Sequence, residues 1–495
     1  MDLAVTLYDN SGVPLHRQLH EELRRSILSG RLPARSRIPS TRALALSLGV
    51  SRTTVTQCYE DLISEGYLQA AIGSGTFICQ HLPEELLRAE PVRRSPKLNP
   101  PQKQPLRLSA YGNRAHNSAR PERRRPDAKL SFGHWRPAFK QLPLRHWRRL
   151  VSRHSRSNGR AVFDYSEDSL GFEPLREAIA AYLSRSRAVQ CEPGQVLICS
   201  GAQRAVDLIT RVLIDPGDAV AMEDPGYLGA RQVFMAQGAD LLPVRVDESG
   251  IVVKELHKNS NSNIKLVYVS PSHQFPTGIL LSLSRRLELL AWAAQQNAFI
   301  IEDDYDSEYR YGGRPVPALQ GLDQNESVIY VGTFSKVLFP SLRLGYLVAP
   351  PRLVETLARA KWLVDRQSPL IEQYALTDFI NEGHLERHIR RMRTLYDSRR
   401  NALVDAFSDY LPSRVSIPGE NAGMHLMARL RTDLGDQELI ARAAERGVEI
   451  VTARPYYLRS KYQGEFIFGY SNLSEARIRE GIRKLSQVLN LIDDF

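Results

Sequence analysis

A lysine flanked by small hydroxyl residues at the end of an apolar run is a group in this sequence that could do covalent chemistry. The run 328–331 leads into Gly332, Thr333, Phe334, Ser335 and Lys336, and Arg343 follows. Two readings of such a lysine are open. One is an ordinary surface cation, the usual fate of the residue. The other is a nucleophilic amine that condenses with a carbonyl to a Schiff base, which needs a carbonyl partner and an anionic anchor nearby. A second reactive type lies upstream, where IIEDDYD carries Asp303 and Asp304 at the end of another apolar run. A buried carboxylate is costly without a cationic partner. A protonated ring nitrogen would be one, held charged so that the ring can accept electrons.

The elements that must position these groups read as buried strands. IKLVYVSP (264–271), AFIIEDDYD (298–306) and VIYVGTFSKVLFPSLRLGYLV (328–348) are apolar runs that end in polar residues. Buried parallel strands deliver side chains to a site at their carboxyl ends in this way. From Leu130 onward such runs alternate with amphipathic helices, the pattern of an α/β domain.

Length and composition bound the rest. At about 100–200 residues per domain, 495 residues imply at least two domains. With 42% apolar and 24% charged residues, the chain is neither disordered throughout nor fibrous. No apolar run reaches the roughly 18–20 residues of a membrane helix. The opening MDLAVTLYDNSG lacks the features of a signal peptide. Cys58, Cys79, Cys191 and Cys199 form no CxxC. They read as thiols in a reducing compartment, so the expectation is a cytoplasmic protein without a metal site.

The net charge is +11, concentrated in one segment. Residues 80–128 carry 11 Lys/Arg against 5 Asp/Glu, with eight prolines and the run Arg123-Arg124-Arg125. Prolines block helix propagation and favour extended backbone, so this segment reads as a linker. Its charge suits either a phosphate backbone or simple solvation.

Residues 1–79 read as three helices and a hairpin. Leu15, Leu19, Leu23 and Ile27 recur every four residues and Gly30 ends that helix. Ser40 and Ser51 stand at N-cap positions of two further helices, and Gly49 and Gly66 close them. Tyr67–Ala71 and Gly75–Cys79 alternate as strands around a GSG turn. Two short helices joined by a Gly-containing turn suit a helix-turn-helix, with Arg42, Arg52, Thr53 and Thr54 able to reach phosphates and bases.

The stretch IPSTRALALSLGVSRTTVTQCYEDLISEGYLQAAIGSGTFI resembles the winged helix-turn-helix of the GntR regulators. That resemblance implies operator DNA as partner, contacted by Arg42, Arg52, Thr53 and Thr54, with Gly73 and Ser74 on the wing. Residues 129–495 resemble a fold type I, aspartate-aminotransferase-like domain that binds pyridoxal 5'-phosphate: a mostly parallel α/β sheet with a smaller C-terminal α+β subdomain. By that resemblance GTFSK supplies Lys336 as the Schiff-base lysine, with Thr333 and Arg343 on the phosphate. Gly201, Ala202 and Gln203 open a helix beneath the phosphate, where backbone N–H groups favour an anion. Tyr227 stacks on the ring, Asp303 meets the ring nitrogen and Tyr305 donates to the ring hydroxyl. Tyr165 reaches the neighbouring subunit's phosphate, which implies a homodimer. His273 reads as a hydrogen-bonded structural residue.

Two departures from the aminotransferases stand out. Where an NPTG motif puts Asn against the ring hydroxyl, HQFPTG has Phe275, which cannot supply that bond. Aminotransferases also clamp a substrate carboxylate with a late arginine. None precedes Arg477 in EFIFGYSNLSEARIRE, and Arg454 and Arg459 lie upstream. Head, linker and body together resemble the MocR/GabR family of bacterial regulators, including its Phe in place of Asn. That resemblance implies a regulator that senses an amine, an amino acid or pyridoxal phosphate itself. The alternative is a working aminotransferase with an accessory DNA-binding domain.

Overall fold

The computed structural model describes residues 7–8, 12–71, 73–83, 106–118, 130–133, 136–157, 161–166, 168–258, 263–312, 316–459 and 462–490. The chain forms two compact units, residues 1–105 and 106–495. Among the described residues no helix is long and apolar enough to cross a membrane.

In the first unit, helices Leu15–Leu28, Thr41–Leu48 and Arg52–Ser64 pack with a three-stranded antiparallel sheet. The apolar stripe of the first helix buries Leu19, Leu23 and Ile27 against Leu44, Val55, Cys58 and Leu62. Ser40 and Ser51 cap their helices, Ser51 Oγ accepting from the Thr54 N–H at 3.1 Å and Ser40 Oγ from that of Ala43 at 3.2 Å. Gly49 takes the left-handed conformation (φ +64°) that ends the short helix. The hairpin strands are Leu68–Ala71 and Gly75–Ile78, and the two-residue strand Arg37–Ile38 pairs with the second of them. Ser51→Ala should lower the stability of residues 1–83, expressed alone, by about 1 kcal/mol through the lost cap. An unchanged urea midpoint would show that water replaces the hydroxyl at no loss.

The second unit is built on an eight-stranded sheet. Its order is Val196–Cys199, Gly345–Val348, Val328–Thr333, Phe299–Asp304, Ile264–Val269, Ala219–Asp224, Asp240–Asp247 and Gly250–Ile251. The five strands from Val328–Thr333 to Asp240–Asp247 pair in parallel, and the outer ones are antiparallel. Both faces are covered, so alternate residues of one strand enter different cores. Leu266, Tyr268, Ile301, Ile329 and Val331 meet the helices Ala202–Leu213 and Leu228–Gln237. Val267, Val269, Ile300 and Val328 meet the helix Leu283–Gln296 on the other face. A smaller antiparallel sheet (Val415–Ser416, His425–Leu430, Glu465–Gly469, Val451–Thr452) carries the C-terminal α+β part with helix Glu475–Asn490.

Of the expected linker, residues 84–105 and 119–128 lie outside the described residues. Residues 106–118 differ from an extended linker. They fall in a proline-free window between Pro105 and Pro121, and Ala110–Asn117 is a helix capped by Ser109, whose Oγ accepts from the Gly112 N–H at 3.0 Å. Arg114 on it donates to the carbonyls of Ala236 and Gln237, both at 2.9 Å, where helix Leu228–Gln237 ends. A guanidinium there satisfies carbonyls that have no partner within the helix.

Candidate cofactor cleft and DNA-reading head

The carboxyl ends of the parallel strands open into a cleft of about 470 Å³. Lys336, Asp303, Tyr305, Tyr227, Ala202, Gln203, Thr333 and Arg343 all line it. Residues more than 130 positions apart in sequence thus meet at one place, because parallel strands point their ends the same way.

Successive residues of a strand face opposite sides, and this separates the two adjacent aspartates. Asp304 turns away from the cleft to Arg187 (2.8 Å) and the Tyr330 hydroxyl (2.6 Å). Against the effect of burial, the Arg187 guanidinium holds Asp304 below the usual carboxylate range. Asp303 faces the cleft. Its Oδ2 accepts from the Tyr268 hydroxyl, and its buried Oδ1 has no hydrogen-bond partner. Burial pushes Asp303 up to about 6, although the Tyr268 bond and the Lys336 charge pull it down. A buried carboxylate oxygen without a donor is an unfinished interaction that a cationic N–H would complete.

At the other end, helix Ala202–Leu213 begins at Gly201, whose φ of +93° a side chain rarely adopts. A Cβ at Gly201 would lie 3.4 Å from the Arg343 guanidinium, so glycine lets that cation close over the helix start. Arg343 Nη2 also donates to the Ser200 carbonyl at 2.9 Å. Helix N–H groups and a guanidinium facing one space form an anion cradle. Thr333 and Ser335 stand beside it. Thr333 Oγ1 accepts from the Ser335 N–H at 3.2 Å, and the buried Ser335 Oγ has no partner.

Aromatic rings wall the space between. Phe275 is buried and packs edge-on to Tyr227 (centroids 6.2 Å), Tyr456 (4.9 Å) and Tyr305 (6.3 Å). Tyr227 donates to Gln203 Oε1 at 3.2 Å, and Gln203 Nε2 donates to the Gly229 carbonyl at 2.8 Å. The Tyr305 hydroxyl lies 2.9 Å from His273 Nδ1, which is also 2.9 Å from Asp306 Oδ1. His273 is buried and is not among the residues that line the cleft. An amine, a half-satisfied buried carboxylate and an anion cradle, spaced around an apolar slot, fit the aldehyde, pyridine nitrogen and phosphate of pyridoxal phosphate.

Several cleft residues were not singled out from the sequence: Tyr268, Ser270, Gln232 and Tyr456. Tyr268 carried a signal, since it alternates with Leu266 toward the face that holds the cleft's helices. Tyr456 carried none. It arrives because the Gly226 N–H donates to its carbonyl at 3.0 Å, and because the Leu458 and Arg459 N–H groups donate to Asp224 at 2.7 and 3.1 Å. Among the described residues, no arginine other than Arg343 lines the cleft, and Arg454 and Arg459 lie outside its lining.

Tyr165 lies outside the cleft and is 79% exposed. Gln367, between helices Pro351–Asp365 and Leu370–Asn381, holds the neighbours of Tyr165, accepting from the Ser166 N–H and donating to the Asp164 carbonyl at 3.3 Å. Phe163, two residues before Tyr165, is exposed as well.

In the first unit, Arg42, Arg52 and Thr53 are exposed on the first turns of their helices. Thr54 is half-buried, its Oγ1 2.8 Å from Ser51 Oγ. Gly73 and Ser74 form the hairpin tip, the Ser74 N–H donating to the Ala71 carbonyl at 3.0 Å.

Comparison with known proteins matches these units one by one. Residues 15–78 match the family of bacterial regulatory proteins of the gntR type, and residues 129–485 match aminotransferase class I and II. The chain is 40% identical to the probable rhizopine catabolism regulatory protein MocR of Rhizobium meliloti, over 96% of this chain and 94% of that protein. It is 32% identical to the pyridoxine biosynthesis transcriptional regulator PdxR of Corynebacterium glutamicum, covering 99% of each. The structure of LysN, an alpha-aminoadipate aminotransferase of Thermus thermophilus complexed with N-(5'-phosphopyridoxyl)-L-leucine, superposes with a TM-score of 0.68 at 30% identity, over 74% of this chain and 93% of that one. A GntR-type head and an aminotransferase-type body in one chain, matched end to end by regulators built the same way, place this protein in the MocR family of transcription regulators.

Proposed function

We propose that the protein is a cytoplasmic, pyridoxal-phosphate-dependent regulator whose affinity for operator DNA responds to a small amine, an amino acid or the cofactor itself. The observation that carries this reading is the composition of the cleft. It offers Lys336, Asp303 and a phosphate cradle for the cofactor and, among the described residues, no second arginine to fix a substrate carboxylate. Pyridoxal phosphate, when bound, supplies an electrophilic carbon and an electron-accepting ring.

The chain's residues divide the remaining work. Lys336 Nζ would hold the aldehyde carbon of the bound cofactor, and Asp303 Oδ1, buried without a donor, would accept from its ring N–H and keep it protonated. Gly201, Ala202, Gln203, Thr333 and Arg343 would receive the phosphate, and Tyr227 would stack on the ring. Tyr305, already tied to His273, would donate to the ring hydroxyl, and Phe275, an apolar side chain in the same wall, would add no hydrogen bond. The protein works as a homodimer. Support for this comes from Phe163 and Tyr165, two residues apart in sequence and both exposed, since large apolar side chains left on a surface mark interfaces. Arg42, Arg52, Thr53, Thr54, Gly73 and Ser74 contact DNA.

Switching requires that the ligand favour one DNA-binding state over another. Fluorescence anisotropy with operator DNA and the cofactor-loaded protein, titrated with amines, amino acids and free pyridoxal phosphate, tests it. One class of ligand should shift operator affinity by about 5–150-fold, the usual range of allosteric coupling. Operator binding indifferent to all of them, together with full turnover of an amino donor and an oxo-acid, would replace this reading with that of an aminotransferase.

A further inference from the structure

The body contains a second cavity, of about 280 Å³, that shares no lining residue with the cofactor cleft. Five arginines from three segments line it. Arg185 and Arg187 come from the end of helix Glu173–Arg187, Arg310 from the segment after strand Phe299–Asp304, and Arg390 and Arg393 from helix His384–Tyr410. Among the described residues only two carboxylates, Glu308 and Glu386, line it with them.

The partners do not balance. Glu386 is taken by Arg185 at 3.1 Å. Arg187 is buried and satisfied by Asp304 (2.8 Å) and the Val316 carbonyl (2.6 Å). Arg393 Nε donates to the Glu308 backbone carbonyl at 3.0 Å, and the Glu308 carboxyl accepts from the Tyr182 hydroxyl at 3.1 Å. Among the described residues neither Arg310 nor Arg390 has a carboxylate partner. Arg310 Nε is moreover a buried donor with no acceptor. Buried donors are rarely left without an acceptor, and an unmet one calls for a missing partner. Desolvation also pushes the Glu308 carboxyl up to about 7, which reduces the negative charge that would repel an anion.

We propose that this cavity is a binding site for a phosphate group, free or carried on a small metabolite, separate from the site that receives the cofactor's phosphate. Guanidinium forks match the oxygens of a phosphate in pairs, and several of them around a small space select an oxyanion over chloride. The site stands beside the strand end that carries Asp303, and Arg187 ties the two regions through Asp304 and Ser272 Oγ.

Isothermal titration of inorganic phosphate into full-length, cofactor-loaded protein tests this, since the cofactor then fills its own cradle. Potassium chloride at matched ionic strength is the control. One saturable phosphate site per chain is expected. Arg310→Gln and Arg390→Gln should each weaken it on the order of tenfold, the loss of a charge-assisted hydrogen bond. Arg310→Lys, which keeps the charge and loses the fork, should fall between. The visible spectrum of each variant reports whether the body remains folded and loaded. A second arm titrates glycerol 3-phosphate: tighter binding than phosphate assigns the site to a carried group, weaker binding to the free ion. Absence of saturable binding above the chloride control overturns the proposal, as does binding that both Arg310→Gln and Arg390→Gln leave unchanged in spectrally intact protein.

Discussion

Lys336→Ala should abolish covalent attachment of pyridoxal phosphate. Wild-type protein loaded with the cofactor should absorb in the visible, and borohydride should fix one cofactor on the peptide that contains Lys336. In the alanine variant both signals should vanish, because among the described residues Lys336 is the lysine that lines the cleft. Lys361 is buried in an ion pair with Asp365, and Lys265 is paired with Asp218 at 2.7 Å. The anion cradle at Gly201 and Arg343 is untouched by the substitution, so weaker, reversible retention of the cofactor is the expected residue of binding. A visible band that survives the substitution, with borohydride fixing the cofactor elsewhere, would remove Lys336 from its role.

Arg52→Ala should lower operator affinity by about 1–3 kcal/mol, the usual loss for an arginine that reads a base edge, and should leave the cofactor's absorbance unchanged. Arg52 is exposed on the first turn of its helix and belongs to a unit with its own apolar core, so its removal costs contact rather than folding. Arg42→Ala gives a separable outcome. As a phosphate contact it should weaken binding across operator variants alike and reduce the slope of log affinity against log salt by about 1. Anisotropy over a salt series measures both. Arg52→Ala binding that matches wild type at every salt concentration would exclude the first turn of this helix from the groove.

Much of this site was legible in the sequence because its signals are local. Ser40, Gly49, Ser51 and Gly66 mark helix ends by their own chemistry, and the apolar runs before Asp303 and Lys336 mark strands that end at a site. Other features depend on partners remote in sequence. The strand Arg37–Ile38 is two residues long and has no pattern of its own; Phe77 and Thr76 define it by pairing. The hydrogen bond from Tyr268 to Asp303 follows from strand register, in which Tyr268 lies opposite Ile301, two residues before the aspartate. Helix Ala110–Asn117 lay hidden because the prolines on both sides of it dominate the composition of residues 80–128. The phosphate cavity is invisible to sequence reading for the same reason: its arginines are scattered over some 200 positions and are unremarked surface cations until the fold brings them together.

Helix Leu228–Gln237 has consequences beyond its own packing. Tyr227 precedes its first turn and walls the cleft, while Arg114 grips its last carbonyls. Ten helical residues extend about 15 Å and behave as a stiff rod. Tyr227 in the cleft wall and the anchor of helix Ala110–Asn117 are therefore opposite ends of one strut, held at a fixed separation for as long as those ten residues stay helical.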